Sequence, residues 1–425
     1  MRPLIVVYDE GSVAPSEIVV GLAELSPCVF AMGPTSHARS MVALLAQFGP
    51  VVQADPISPA VDELRAHAPR GIVTFSERAI PVTGELAQQL GLPYNSRRTV
   101  ERLTDKWVQR SALRAAGVDT VRSHRIASEA DWAPAVAEVG LPAVLKPANG
   151  GASRNTYLVD DADTGCDTVL RLLAQGSPGY VRGGALVLEE YLRGRDCGPF
   201  GDYVSVENLT IDGHIADIAV TGKLPLAPPF RETGYFVPAP LGSDEEAAVR
   251  ALARDAVAAL GVSSGFTHTE IKLTAAGPRL IEVNGRLGAG VHDLVGRAHG
   301  LDAVTLAGQV ALGERVSLGH PPAGRVYFQI FHPAPRRACE LLTVEGSREV
   351  RGLAGVTVHR PYVRAGTAIA GGVQTERLGV VMGEAGDTEE LAALVREVNE
   401  RLRYRFAFSD QREPRTVPAA ELGEL

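Results

Sequence analysis

The sequence predicts an α/β chain of about three units, and three observations point there. The first hundred residues alternate short apolar runs with amphipathic stretches, the pattern of strands and helices in a doubly wound parallel sheet. Two later stretches instead set alternating segments on either side of a tight turn, at Asp212-Gly213 and at Gly277-Pro278, which reads as antiparallel hairpins. A length of 425 residues exceeds what one hydrophobic core serves.

Taken in order, residues 4–8 and 28–32 are apolar runs of strand length. The run that opens at Met1 meets acids by Asp9, so it reads as a first strand and not as a signal peptide. Residues 40–48 carry a helical pattern, 71–75 a further strand, and 83–90 a helix that Gly91 ends. No GxGxxG follows the first strand, so this unit is Rossmann-like without a dinucleotide of its own. Thr104 and Asp105 can cap a helix over 106–116, which Gly117 stops. Residues 141–146 and 157–160 form strands around a loop holding Asn149-Gly150-Gly151-Ala152-Ser153, and 186–192 form another. The hairpin 203–211/214–221 precedes a proline-rich stretch, 223–240, expected as a long loop. A helix over 245–260 leads into the hairpin 267–274/279–284. From about Arg325 the texture changes: strands at 326–330 and 349–350, a charged helix at 388–402, and a polar, loose tail from 411 to 425.

Composition narrows the function. A net charge of −8 argues against a nucleic-acid partner and against a basic membrane-binding surface, and no run of 18 apolar residues is present to span a bilayer. Cys28, Cys166, Cys197 and Cys339 are scattered without a CxxC pair, which argues against a zinc site or disulfide framework and fits inert buried thiols in a reducing cytoplasm. Only four of the 42 basic residues are lysine: Lys106, Lys146, Lys223 and Lys272. Arginine serves a surface charge equally well but does not replace a compact ammonium that must reach one phosphate oxygen.

The second hairpin is the strongest chemical signal. Alternate residues of a strand share a face, so His268, Glu270 and Lys272 lie together, as do Glu282, Asn284 and Arg286 opposite. A turn near Ala276 puts Glu270 across from Glu282. Facing carboxylates repel unless a cation lies between them, and magnesium suits two carboxylates and an amide oxygen; the alternative is a solvated polar face. Lys146 ends an apolar strand just before the glycine-rich loop, whose N–H groups can cradle an anion, although no GxxxxGK[ST] is present and such loops are often plain turns. Glu189 and Glu190 sit in an otherwise apolar strand, either paired and functional or turned to solvent. Ser76-Glu77, after a strand, either edges a substrate cleft or caps a helix. His292, Asp293 and His299 read as ordinary polar residues of a helix.

The order Asp105-Lys106, Lys146-Pro147 with its glycine-rich loop, Glu189-Glu190-Tyr191-Leu192, His268-Thr-Glu270 and Glu282-Val-Asn284-Gly-Arg286 resembles the ATP-grasp superfamily. Within it, Phe230-Arg-Glu-Thr-Gly-Tyr-Phe-Val-Pro238 and Gly265-Phe-Thr-His-Thr-Glu270 resemble the L-amino-acid ligases that make dipeptides. The resemblance implies an N-terminal Rossmann-like domain (1–103), an ATP-grasp domain (104–324, with 104–190 the small nucleotide-capping lobe and 191–324 the metal-bearing large lobe) and a C-terminal α+β domain (325–425). It implies ATP with magnesium, or manganese, as cofactors. Lys106 and Lys146 would contact phosphates, the loop with Gly150, Gly151 and Ser153 would close over them, and Lys223 would reach phosphate or substrate. Glu189 and the backbone of Glu190 and Leu192 would hold adenine, and Asp196 the ribose. Glu270, Glu282 and Asn284 would bind metal. Arg286 would stabilise the transferring phosphoryl group, with Lys146, and His268 would lie near the substrate and its acyl phosphate. The implied activity is ADP-forming ligation of an amino-acid carboxylate to an amine, on small-molecule substrates, in a homodimer. The alternatives are a carboxylase or ligase of the biotin-carboxylase or purine-biosynthesis type, and an ATP-binding regulatory protein without turnover.

Overall fold

A computed structural model describes residues 2–175, 184–318 and 324–425; Met1 lies outside them. The opening unit is a four-stranded parallel sheet in which Leu4–Tyr8 lies between Cys28–Met32 and Gly71–Thr74, with Val51–Gln53 at the edge. Every residue of Leu4–Tyr8 is buried, as expected of a strand covered by helices on both faces. The helix expected at 40–48 runs instead over Ser36–Leu45, because Thr35 accepts the N–H of Ala38 and starts it earlier.

A small four-stranded antiparallel sheet follows. Leu186–Glu190 lies between Ser123–Ile126 and Ala143–Pro147, and Tyr157–Val159 flanks the last. The largest sheet has eight strands. Gly277–Asn284 forms one edge, next to Gly265–Thr274, Tyr203–Ile211, His214–Lys223 and Gly234–Val237. Val326–Pro333, Arg377–Ala385 and Val356–Pro361 complete it. A last sheet joins Thr367–Ile369, Cys339–Glu345, Arg403–Phe408 and Arg415–Pro418.

Four expectations change. The stretch 223–240 is not all loop: Gly234–Val237 pairs with both His214–Lys223 and Val326–Pro333. The C-terminal segment is therefore not hydrogen-bonded apart, since Val326–Pro333 continues the large sheet. Glu349 and Val350 lie in a helix, Ser347–Arg351, because the glycine at 346 turns the chain with φ 82° and the next residues close a helical turn. The tail is built in: Arg415–Pro418 is a strand, and Leu422 and Leu425 are buried against Tyr404 and Phe406. Its apolar residues are spaced too widely for either period to be read from sequence. Of the four free cysteines, Cys339 alone is buried and the others are half-buried. Among the described residues no helix is long and apolar enough to cross a membrane.

Candidate functional site

The helix Lys106–Ala115 organises the site. Asp105 caps it by accepting the N–H groups of Trp107 and Val108. Positions 106, 109 and 110 then share one face, three and four residues apart. Gln109 pairs with both backbone groups of Val283, each at 2.8 Å, and so covers the exposed edge of the large sheet. Arg110 donates to the carbonyls of Leu280 (3.0 Å) and Ile281. It also grips Asp119 at 2.5 Å and Glu189 at 3.2 Å. One helix face thus fixes the metal-candidate hairpin against the small sheet, and sets Lys106 above both.

A cavity of about 630 Å³ lies between the two sheets and collects most of the expected residues. Lys106, Lys146, Gly150, Gly151, Ser153, Glu189, Glu190, Leu192, His268, Glu270, Glu282 and Arg286 all line it. Glu270 and Glu282 are register partners, as are His268 and Asn284. Lys146 Nζ lies 2.8 Å from Glu189 and 3.8 Å from Glu282, and Lys106 Nζ 3.5 Å from Glu282. Burial opposes ionisation of Glu189, but Arg110 and Lys146 overcome it and pull its pKa down to about 2. Burial likewise opposes ionisation of Glu282, and Lys106 and Lys146 still hold it below the ordinary carboxylate range. Lys106 Nζ also donates to the carbonyl of Gly150, which ties the glycine-rich loop to the same cluster.

Glu207 was not foreseen. It is fully buried, accepts from Ser205 at 3.1 Å, and lies 2.7 Å from His268 Nδ1. Burial disfavours the imidazolium, but Glu207 raises the His268 pKa above its ordinary value. His268 Nε2 in turn lies 3.5 Å from Glu270. Gly288 is required here: a Cβ on it would sit 2.5 Å from His268 Nδ1. Glu77 also enters the site, with Arg286 Nε 3.2 Å away, so the residue after the fourth parallel strand edges the cavity. Burial raises its pKa against the pull of Arg286. Glu207 follows two residues after Ser205 on an apolar strand, a signal of a buried acid like that of Glu189; Arg110 and Arg377 carried none.

Some expected residues fall elsewhere. Asp196 does not border this cavity; its carboxylate accepts the N–H of Gly198 at 2.8 Å, and it lines a separate cavity of about 700 Å³. That cavity holds neither the facing carboxylates nor the glycine-rich loop. Lys272, which does border the site, pairs instead with Asp202 at 2.6 Å. Lys223 does not line the site either. It is buried, with Nζ 3.9 Å from the ring centre of Tyr235, in the field of Glu232, Glu270 and Glu207. Burial lowers its pKa. Tyr203 and Tyr235 line the cavity in its place. The Glu190 N–H is committed to the carbonyl of Arg122 and is not free to meet a base. The Glu189 carboxylate is engaged by Arg110 and Lys146, which makes it the support of Lys146.

Among the described residues no three His, Cys, Asp or Glu side chains cluster as a metal site. The two facing carboxylates nevertheless suit magnesium, which takes one or two carboxylates and completes its shell with phosphate oxygens and water; Asn284, expected as a third ligand, does not border the cavity. Asn284 is buried, and its Oδ1 is 3.5 Å from Arg286 Nη2.

Residues 139–293 match the ATP-grasp domain. The chain is 30% identical over 247 residues to alanine–anticapsin ligase of Bacillus subtilis (strain 168), covering 55% of this chain and 52% of that protein. It spans about half the length of the first curated relatives it matches, 52% and 45%. It is 31% identical over 223 residues to D-alanine–D-alanine ligase of Aromatoleum aromaticum, covering 51% of this chain and 67% of that protein. The L-amino acid ligase from Bacillus licheniformis superposes with a TM-score of 0.76 at 23% identity, over 95% of this chain and 98% of that one. On these matches and this geometry, the chain belongs to the ATP-grasp family.

Proposed function

We propose that this chain is an ATP-dependent ligase that activates an amino-acid carboxylate as an acyl phosphate and couples it to an amine, releasing ADP and phosphate. One observation carries the reading: Lys106 and Lys146, the glycine-rich loop, and the facing Glu270 and Glu282 border a single cavity. The names of the ligases to which it is similar support the amide-forming chemistry.

The two lysines and the loop would take the ATP phosphates. Glu270 and Glu282 would hold magnesium, which when bound neutralises phosphate charge. The substrate carboxylate attacks the γ-phosphorus; a C–O–P linkage forms as the bond to the β-phosphate oxygen breaks, and ADP leaves. The amine then attacks the acyl carbon, phosphate departs with the C–O electrons, and the amine's proton passes to phosphate or solvent. Arg286, held by Glu77, is placed to stabilise charge on the moving phosphoryl group. The chain's contribution is positioning and charge, with no covalent enzyme intermediate. The cavity is also lined by Glu10, Glu77, Glu232 and Arg377 with Phe230, Tyr235 and Tyr362, a mixed polar and aromatic set suited to amino acids.

The test is a screen of amino-acid pairs for ADP release, with mass spectrometry of the products. Phosphate release that needs two amino acids is the expected result. Release of AMP and pyrophosphate, or turnover with bicarbonate in place of one amino acid, would overturn it.

A further inference from the structure

We propose that residues 373–377 couple the phosphate loop to the substrate end of the cavity, with Thr375 as the positioning residue between them. The proposal rests on the ligase reading above. The segment lies far along the chain from the loop, yet two backbone hydrogen bonds join them reciprocally. Thr375 N–H donates to the carbonyl of Ala152 at 2.7 Å, and Asn155 N–H donates to the carbonyl of Val373 at 2.8 Å. The loop needs such an outside support. Ala152, Ser153 and Asn155 have φ values of 57°, 52° and 53°. Residues with a Cβ keep this left-handed conformation only where neighbours fix it.

The other side of Thr375 faces the substrate wall. Its Oγ1 accepts the N–H of Glu232 at 3.3 Å. Two residues on, Arg377 donates to the Tyr235 hydroxyl at 3.0 Å, lies 3.3 Å from Glu232, and stacks on Phe331 with 3.6 Å to the ring centre. Gln374, Thr375, Glu376 and Arg377 line the cavity beside the loop's own Gly150, Gly151 and Ser153. Arg377 also begins a strand of the large sheet, so its end of the segment is anchored. A loop seated on phosphates thus presses on a segment that carries part of the substrate wall. The two sites share one element, which is what reciprocal coupling of two ligands requires.

Backbone amide exchange on the full chain tests this, with magnesium and a non-hydrolysable ATP analogue as the probe. The proposal expects residues 150–156 and 373–377 to gain protection together, without any amino acid present. Protection of 150–156 with no change in 373–377 would overturn the coupling and leave the ligase reading standing. No binding of the analogue by calorimetry would overturn both. Thr375→Pro removes the N–H donated to Ala152, and should abolish the joint protection. Thr375→Val keeps that N–H, loses only the contact to Glu232, and does not depend on the proline variant folding. With a pair found in the ADP-release screen, Thr375→Val should raise the amino-acid KM at saturating ATP about five-fold, the low end of ordinary coupling between sites, and the ATP KM at saturating amino acid by a like factor, because the coupling is reciprocal. Thr375→Ser should restore both. A rise in the amino-acid KM alone, or no change in either, would overturn the wall side of the coupling.

Discussion

Glu270 and Glu282 face each other as direct register partners on adjacent antiparallel strands, and both border one cavity. Glu282 has Lys106 and Lys146 within 4 Å, whereas Glu270 lies 3.5 Å from His268 Nε2. The pair is therefore unevenly neutralised, and a divalent ion between them would complete it.

Magnesium should then raise the melting temperature of the wild type in a thermal-shift titration without nucleotide. Glu270→Gln should abolish that rise and lower kcat by about a hundred-fold or more. A Glu270→Gln protein that still responds to magnesium would show that the ion is held elsewhere.

Arg286→Ala should lower kcat on the order of a hundred-fold with a smaller change in the ATP KM, because a charge formed in the transition state loses its partner. Arg286→Lys should recover only part, since the ammonium lacks the planar fork. Steady-state ADP release measures both. Near-native turnover of the alanine variant would remove Arg286 from the chemistry.

Arg110→Met should cost stability, not merely affinity. It removes the cation that Glu189 and Asp119, both buried, share, and leaves Glu189 with Lys146. Breaking a buried pair in this way costs about 3–5 kcal/mol. The denaturant midpoint should fall accordingly. A midpoint within error of wild type would mean that water replaces the guanidinium.

His332 gives an acid-sensitive term remote from the site. It is buried, and burial together with nearby His359 lowers its pKa from 6.5 to about 4. The unfolded chain binds this proton more readily, so the neutral side chain contributes fully above pH 6.5 and loses that contribution as pH falls toward 4. At pH 5 the loss is on the order of 2 kcal/mol. His332→Phe should flatten the stability profile between pH 6.5 and 4, as read by chemical denaturation at stepped pH. An unchanged slope would show that His332 is not the group responsible.

The facing carboxylates were legible because strand period and a short turn fix register locally. The glycine-rich loop and Lys146 were legible for the same reason, as neighbours in sequence. Arg110 was not, because its partners at 119, 189, 280 and 281 meet only after three elements pack. Lys223 misled for a related reason. The resemblance had it reach phosphate or substrate, but Gly234–Val237 pairs along that edge and Lys223 is buried. Asp196 was placed by its distance from Glu189 along the chain, and the intervening residues 191–195 carry it past the cavity wall.

The hydrogen bonds between Gly234–Val237 and Val326–Pro333 bear on how this fold can diversify. A protein cut near residue 324 would expose a bare strand edge where a partner strand had been, an invitation to self-association. Recombination that exchanges the last hundred residues for those of another ATP-grasp protein would have to match backbone register as well as side chains. Change in substrate preference is thereby steered toward point substitution within the wall, and away from the swapping of whole modules.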